Sequence, residues 1–200
     1  VGEWLGDPSK LNSGCGVERR TYFELDHADP VVRKIINRRA FDDVEQGEGI
    51  DLIKTPTISR VVVVPEDSDI ELRPHDVGIG ISQVVPVVVT ALDGKGRLLA
   101  IEQPELHMHP RLQANIADLF VEAFHKNKHN FILETHSEHL ILRLLRRIRE
   151  SEKGSADPDR KLRTSDLAIY FLQQEQGGTK VSRIDVDVKG EFIQPWPDDF

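Results

Sequence analysis

Leu98-Leu99-Ala100-Ile101-Glu102-Gln103-Pro104-Glu105 and, further along, Phe131-Ile132-Leu133-Glu134-Thr135-His136-Ser137 decide how this chain folds. Each is an apolar run that stops abruptly in polar residues. Buried parallel strands read as short continuous apolar runs, and open α/β sheets gather ligand chemistry at the C-terminal ends of such strands. Between the runs, Leu112, Ile116, Leu119, Phe120 and Ala123 repeat at the spacing of one apolar helix face. The local reading is strand, helix, strand. It brings Glu102, Gln103 and His136 to one edge of one sheet, an arrangement suited to a nucleotide phosphate and its metal.

At these residues the sequence resembles a known group. Residues 102–110, Glu-Gln-Pro-Glu-Leu-His-Met-His-Pro, resemble the Walker B and D-loop segment of ATPases in the ABC-related SMC/RecF/OLD branch. Glu134-Thr135-His136-Ser137 is similar to that branch's switch-histidine segment, and residues 76–83, Asp-Val-Gly-Ile-Gly-Ile-Ser-Gln, to its signature loop. The closing Trp196-Pro197-Asp198-Asp199-Phe200 is similar to the tail of an uncharacterised C-terminal domain carried by many such AAA-type ATPases. The three motifs stand in the family's order. The fold they imply is α/β, the C-terminal lobe of an ABC-ATPase-like P-loop NTPase, with parallel strands, flanking helices and a C-terminal β-hairpin.

The resemblance also assigns roles. Glu102 takes the position of the acid that anchors Mg²⁺, and a carboxylate is a suitable hard-oxygen donor for that ion. Relatives often carry a second acid next, as catalytic base, where this chain has Gln103. A neutral amide orients water without taking its proton, as glutamine does in small GTPases. Three outcomes stay open: slow hydrolysis, orientation by Gln103, or a carboxylate supplied by Glu105. His136 takes the switch role, contacting the γ-phosphate of ATP, while His139 supports the following helix and Glu134 reads as local structure. Gly78, Gly80, Ser82 and Gln83 form the signature candidate, which in the family reaches ATP held by a second protomer and so implies a homodimer. The usual Ser-Gly-Gly-Gln order is replaced here by Gly80-Ile81-Ser82-Gln83, which displaces the serine.

The phosphate loop itself is missing from the sequence. No G-x-x-x-x-G-K-[ST] pattern occurs, and Asn12-Ser13-Gly14-Cys15-Gly16 lacks the lysine and hydroxyl that should follow its glycines. The expectation is a C-terminal half of an ATPase, inactive alone, whose parent hydrolyses ATP. The chain begins at Val1 and its single methionine is Met108, which likewise predicts a fragment or processed product.

Composition sets outer bounds. Two hundred residues suffice for one good core, and 38% apolar residues with a mean hydropathy of -0.37 describe a soluble globular chain. No apolar run approaches the roughly 20 residues that span a bilayer. Cys15 is the only cysteine, so no internal disulfide forms, in keeping with a cytoplasmic setting. A net charge of -8 argues against a uniformly basic nucleic-acid surface. Arg143, Arg146, Arg147, Arg149 and Lys153 nonetheless cluster. They read as a solvated helix face, with a local nucleic-acid patch, reached through the parent protein, as the alternative.

Along the chain, residues 1–30 read as irregular, 30–45 as a short helix and 47–49 as a turn. A strand at 58–64 and another at 70–73 form a hairpin around the turn at 65–69. The glycine loop at 78–80 leads into a helix over 83–92, with Pro86 near its first turn. A turn at 93–96, an amphipathic helix over 138–150 with Leu140, Ile141, Leu144, Leu145 and Ile148 inward, a polar loop at 154–159, and strands at 167–172 and 181–188 complete the pattern. Three units follow: 1–75, a remnant of an upstream lobe; 76–150, the ATPase core; and 151–200, a β-rich appendage.

Three rival functions fit some of the same residues. His107, His109, His136 and His139 with Glu102, Glu105 and Glu134 could form a transition-metal hydrolase site. Asp185 and Asp187 could belong to a TOPRIM-like nuclease, although acids alternating with Val186 and Val188 more simply face solvent. A non-enzymatic dimerisation or partner-binding module is the third.

Overall fold

The computed structural model describes residues 2–7, 9–24, 57–66, 68 and 70–196. The helix expected over 30–45, the turn at 47–49 and the final four residues lie outside these. Around the deciding stretch the order is helix α2 (Ile79–Leu92), strand β3 (Leu98–Glu102), helix α3 (Pro110–Lys126), strand β4 (Asn130–Glu134) and helix α4 (Glu138–Glu152). β3 and β4 pair in parallel, Leu98 opposite Asn130 through to Glu102 opposite Glu134. A parallel pair needs a crossover, and α3 supplies it.

The helices begin where local chemistry satisfies their free N–H groups. Pro110 occupies the first turn of α3, where its missing donor costs nothing, and the His109 ring accepts from the Arg111 N–H. Ser137 caps α4 by accepting from the Leu140 N–H at 3.1 Å. Ile116, Leu119, Phe120 and Ala123 of α3 then meet Val84, Val88 and Ala91 of α2 and Leu140 of α4, with Ile101, Phe131 and Leu133 packed against them. Trp4 and Leu5, within a short helix α1 (Gly2–Gly6), and Leu11 just beyond it close the same core.

The opposite face of the parallel pair is open. Leu98 and Ile132 are 67% and 60% exposed. Parallel sheets are ordinarily covered on both faces, so this surface has the character of an interior without a cover among the described residues.

A buried imidazole ties β4 to the turn before β3. His129 is fully buried, its Nδ1 accepting from the Arg97 N–H at 3.1 Å and its Nε2 donating to the Asp93 carbonyl at 3.0 Å. The two partners fix a neutral ring with its proton on Nε2. Asn127 adds bonds from its side-chain amide to the Leu92 and Gly94 carbonyls.

Several expectations are corrected. Residues 1–30 are not irregular throughout, because Cys15–Phe23 forms strand β1, antiparallel to β2 (Thr57–Pro65) with Cys15 opposite Pro65 and Phe23 opposite Thr57. The hairpin expected between 58–64 and 70–73 shrinks to one bridge, Val63 with Leu72. β1 is the main partner of β2. Strand β6 (Gly178–Ile184) starts and stops earlier than 181–188 and pairs with β5 (Ile169–Glu175) in an antiparallel hairpin.

Helix α2 starts at Ile79, so Pro86 lies in its interior rather than its first turn. A proline there withholds a main-chain donor and crowds the carbonyl four residues earlier. Pro86→Ala is therefore expected to stabilise the protein by about 1–3 kcal/mol, measured by urea unfolding.

Much of the arginine run is turned to partners within the protein rather than to solvent. Arg147 is 8% exposed and bonds Asp118 with both Nε and Nη2 at 2.7 Å, and Arg143 holds the same carboxylate. Arg146 pairs with Glu150, and Arg149 donates to the Lys189 carbonyl. Nor do Asp185 and Asp187 make a metal pair. Asp185 bonds Gln194 and Arg183, while Asp187 Oδ1 accepts the Lys189 and Glu191 N–H groups of a turn.

Candidate functional site

The C-terminal ends of β3 and β4 carry Glu102, Gln103 and the 134–137 segment side by side. Glu102 is exposed, and the register sets it directly opposite Glu134, also exposed. Partners in register on neighbouring strands point to one face. Two carboxylates on one face repel unless a cation sits between them, and oxygen donors of this kind suit Mg²⁺. Read alone, the sequence left Glu134 as local structure. Its companionship with Glu102 depends on strand register, which becomes legible only once the two apolar runs are aligned end to end.

Gln103 ends the strand with a left-handed turn, at φ 44°. Its N–H continues the ladder by donating to the Glu134 carbonyl at 2.8 Å, and its carbonyl accepts from Leu106. A non-glycine residue in this region is uncommon and is held by surrounding structure, as these two bonds hold it here. His107 is a second such residue, at φ 60°. Together they coil residues 103–108 into a tight turn with Pro104 and Glu105 buried. His107 and His109 are spent on turn and cap. Among the described residues no group of three or more His, Cys, Asp or Glu side chains converges as a metal site.

Glu105 points inward. It is 5% exposed, and its Oε1 accepts the Thr135 hydroxyl at 2.7 Å and the His136 N–H at 3.0 Å. His136 itself is exposed at the strand-end edge. The turn after β3 and the segment after β4 are therefore joined through one buried carboxylate.

The glycine segment meets the same turn from the other side. Gly78 is the N-cap of α2 with open space around it, whereas a Cβ on Gly80 would lie 2.6 Å from the His107 carbonyl oxygen. Gly80 is thus required by a close approach within this chain. The Ser82 hydroxyl donates to the Ile79 carbonyl at 2.9 Å, and Gln83 Oε1 is buried with no partner among the described residues.

A parallel strand pair joined by a helix crossover, with acid, amide and histidine at its C-terminal ends, fits a lobe of the P-loop NTPase type. Residues 18–141 match the AAA ATPase domain family, more than half of the chain, and the chain belongs to that family. It is part of an ATPase module. No curated protein matches it significantly. Among solved structures, an SMC head bound to the C-winged helix domain of ScpA is 14% identical, aligning over 93% of this chain and 41% of its own at a TM-score of 0.51. A second, from structural work on ATP-driven dimerization and DNA-stimulated activation of SMC ATPases, is also 14% identical. It aligns over 92% of this chain and 80% of its own at a TM-score of 0.47. At such identity the likeness to the first is one of fold alone. This chain spans less than half the length of the first of these heads. No helix among the described residues is long and apolar enough to cross a membrane.

Proposed function

We propose that this chain is the C-terminal half of an ATP-hydrolysing ATPase of the SMC/RecF/OLD kind, the P-loop coming from a segment outside this sequence. Residues 76–150 are the working core, between an upstream remnant and a β-rich appendage. In this reading Glu102, with Glu134 beside it, offers the oxygen donors for Mg²⁺, Gln103 orients the attacking water, and His136 contacts the γ-phosphate. Of the two candidates for the water, Gln103 is favoured over Glu105, whose carboxylate is buried and engaged. Gly78, Gly80, Ser82 and Gln83 serve ATP bound by a second copy, so the working unit is a homodimer. DNA repair or antiphage defence in the cytoplasm, with nucleic acid reached through the parent protein, is the setting proposed.

The observation that carries this reading is the strand-end edge with Glu102, Glu134, Gln103 and His136 on a parallel pair whose face bearing the two carboxylates is also bare at Leu98 and Ile132. A P-loop-bearing lobe adds strands and cover to such a face. Calorimetric titration of Mg·ATP into this chain, with excess EDTA as control, is expected to show no binding. Binding is expected once a P-loop-bearing segment is supplied. Mg-dependent binding by the chain alone would overturn the half-site account.

A further inference from the structure

We propose that Glu105 is the positioning residue of His136, and that through it the contact between Gly80 and the His107 carbonyl sets where His136 stands. The functional meaning rests on His136 as the phosphate contact. The structural claim does not.

The His136 N–H lies past the end of β4 and before the Ser137 cap of α4, where neither strand nor helix supplies its partner. The Glu105 carboxylate does, at 3.0 Å, in a charge-assisted bond made inside the protein. Its Oε2 has no partner among the described residues, so Oε1 carries both recorded bonds. From there the bonds close a ring. Thr135 Oγ1, donating to Glu105, accepts the Ser137 N–H at 3.0 Å. The Ser137 hydroxyl donates to Gln113 Oε1, and Gln113 Nε2 donates to the Met108 carbonyl. The Met108 N–H donates back to the Glu105 carbonyl at 3.1 Å. The 103–108 turn and the 134–137 segment thus behave as one hydrogen-bonded body, and buried networks of this kind lose more than one bond when one member is removed.

Gly80 is the point at which a third segment bears on this body. Its Cα side faces the His107 carbonyl too closely to admit a methyl group, the Cβ falling 2.6 Å from the oxygen and 3.3 Å from its carbon. His107 stands between Gln103 and the Met108 end of the ring, in a left-handed conformation with little room to adjust. A displacement at the start of α2 must therefore move the turn, and the turn carries Glu105. Signature loop and switch histidine are coupled within one chain without touching.

Amide hydrogen exchange and ¹⁵N–¹H shifts of the full chain test this without nucleotide. In Glu105→Gln the His136 amide is expected to exchange at least about tenfold faster and to move upfield, as a bond to a charged acceptor gives way to a neutral one. The Leu133 amide, inside β4, serves as the fold control and is expected to keep its protection. Thr135→Val, which preserves shape, is expected to loosen the same amide to a lesser degree and stands in should Glu105→Gln fail to fold. Gly80→Ala is expected to shift and deprotect His136, and Gly78→Ala, in open space, to leave it alone. An unmoved His136 amide in Glu105→Gln, or in Thr135→Val if that variant stands in, would overturn the positioning role. Equal responses to the two glycine variants would overturn the coupling. Loss of ATP binding by the P-loop-completed assembly with these amide responses intact would instead remove the nucleotide reading and leave the coupling standing.

Discussion

Asp118→Ala is expected to destabilise the protein by about 3–5 kcal/mol, because it removes the one carboxylate shared by Arg143, Arg147 and Arg160 and leaves their buried positive charge undercompensated. Asp118 lies in the middle of α3, 2% exposed. Arg143 reaches it from α4 with Nη2 at 2.7 Å, Arg147 with Nε and Nη2 both at 2.7 Å, and Arg160 with Nη1 at 3.5 Å. With Glu150 also on Arg147 and Glu122 on Arg160, this carboxylate is the shared partner of guanidinium groups from two further elements and fastens α3, α4 and the 158–160 turn together. Burial, the largest single influence, pushes its pKa up, but the hydrogen bonds from Arg147 and Arg143 with their charges outweigh it, and the group is held below the usual carboxylate value. The sign follows. A carboxyl whose folded pKa is depressed contributes stability that is fully present above its unfolded pKa, about 4, and is lost as pH falls through the folded value. Urea unfolding should therefore show the gap between wild type and Asp118→Asn at its widest at neutral pH and shrinking below about pH 4. A gap independent of pH would mean the carboxylate acts through packing rather than charge.

Such a network also explains what sequence could and could not reveal. β3, α3, β4 and α4 are legible because their signals are local: two continuous apolar runs and two helical stripes. Arg143 and Arg147 misled because their partner, Asp118, sits on another helix and reads in sequence as an ordinary polar position of α3. β1 escaped for a related reason. Its Glu18, Arg19 and Arg20 carry no hydrophobic alternation, and its pairing with β2 is made across a long sequence separation. The start of α2 was misread because Gly78 and Gly80 signal a loop, whereas Gly80 is a helical residue whose missing side chain admits the His107 carbonyl. At the candidate site, the edge holding Glu102, Gln103 and His136 followed from strand ends alone. Glu105 did not, because the left-handed turn at Gln103 decides which way the next side chains face, and glutamine gives no hint of positive φ.

Gly190→Ala is the second large effect expected, and it separates the C-terminal hairpin from the site. Gly190 has φ 66°, and a Cβ there would lie 2.1 Å from the Leu145 carbonyl oxygen and 3.0 Å from its carbon. The obstacle is the backbone of α4, which cannot step aside without breaking the helix. The turn must leave instead. It is stiff, with Gly190 N–H donating to the Asp187 carbonyl, Asp187 Oδ1 accepting from Lys189 and Glu191, and Arg149 of α4 holding the Lys189 carbonyl at 2.8 Å. Next to it, Val186 packs on the cluster of Val121, Ile148 and Leu162. Strain of about 1–3 kcal/mol from the conformation and as much again from overpacking give a loss of about 2–5 kcal/mol. Gly177→Ala makes the comparison, since Gly177 also has positive φ, at 105°, but meets nothing within 4 Å. It should cost only the conformational share. In hydrogen exchange, Gly190→Ala is expected to expose the β5 and β6 amides while β4 stays protected, because Leu145 lies at the middle of α4, about two turns beyond the Ser137 cap at which alone the Glu105 ring attaches. Loss of protection at His136 in this variant would show instead that the first half of α4 transmits the disturbance, making the appendage part of the machinery that places the histidine.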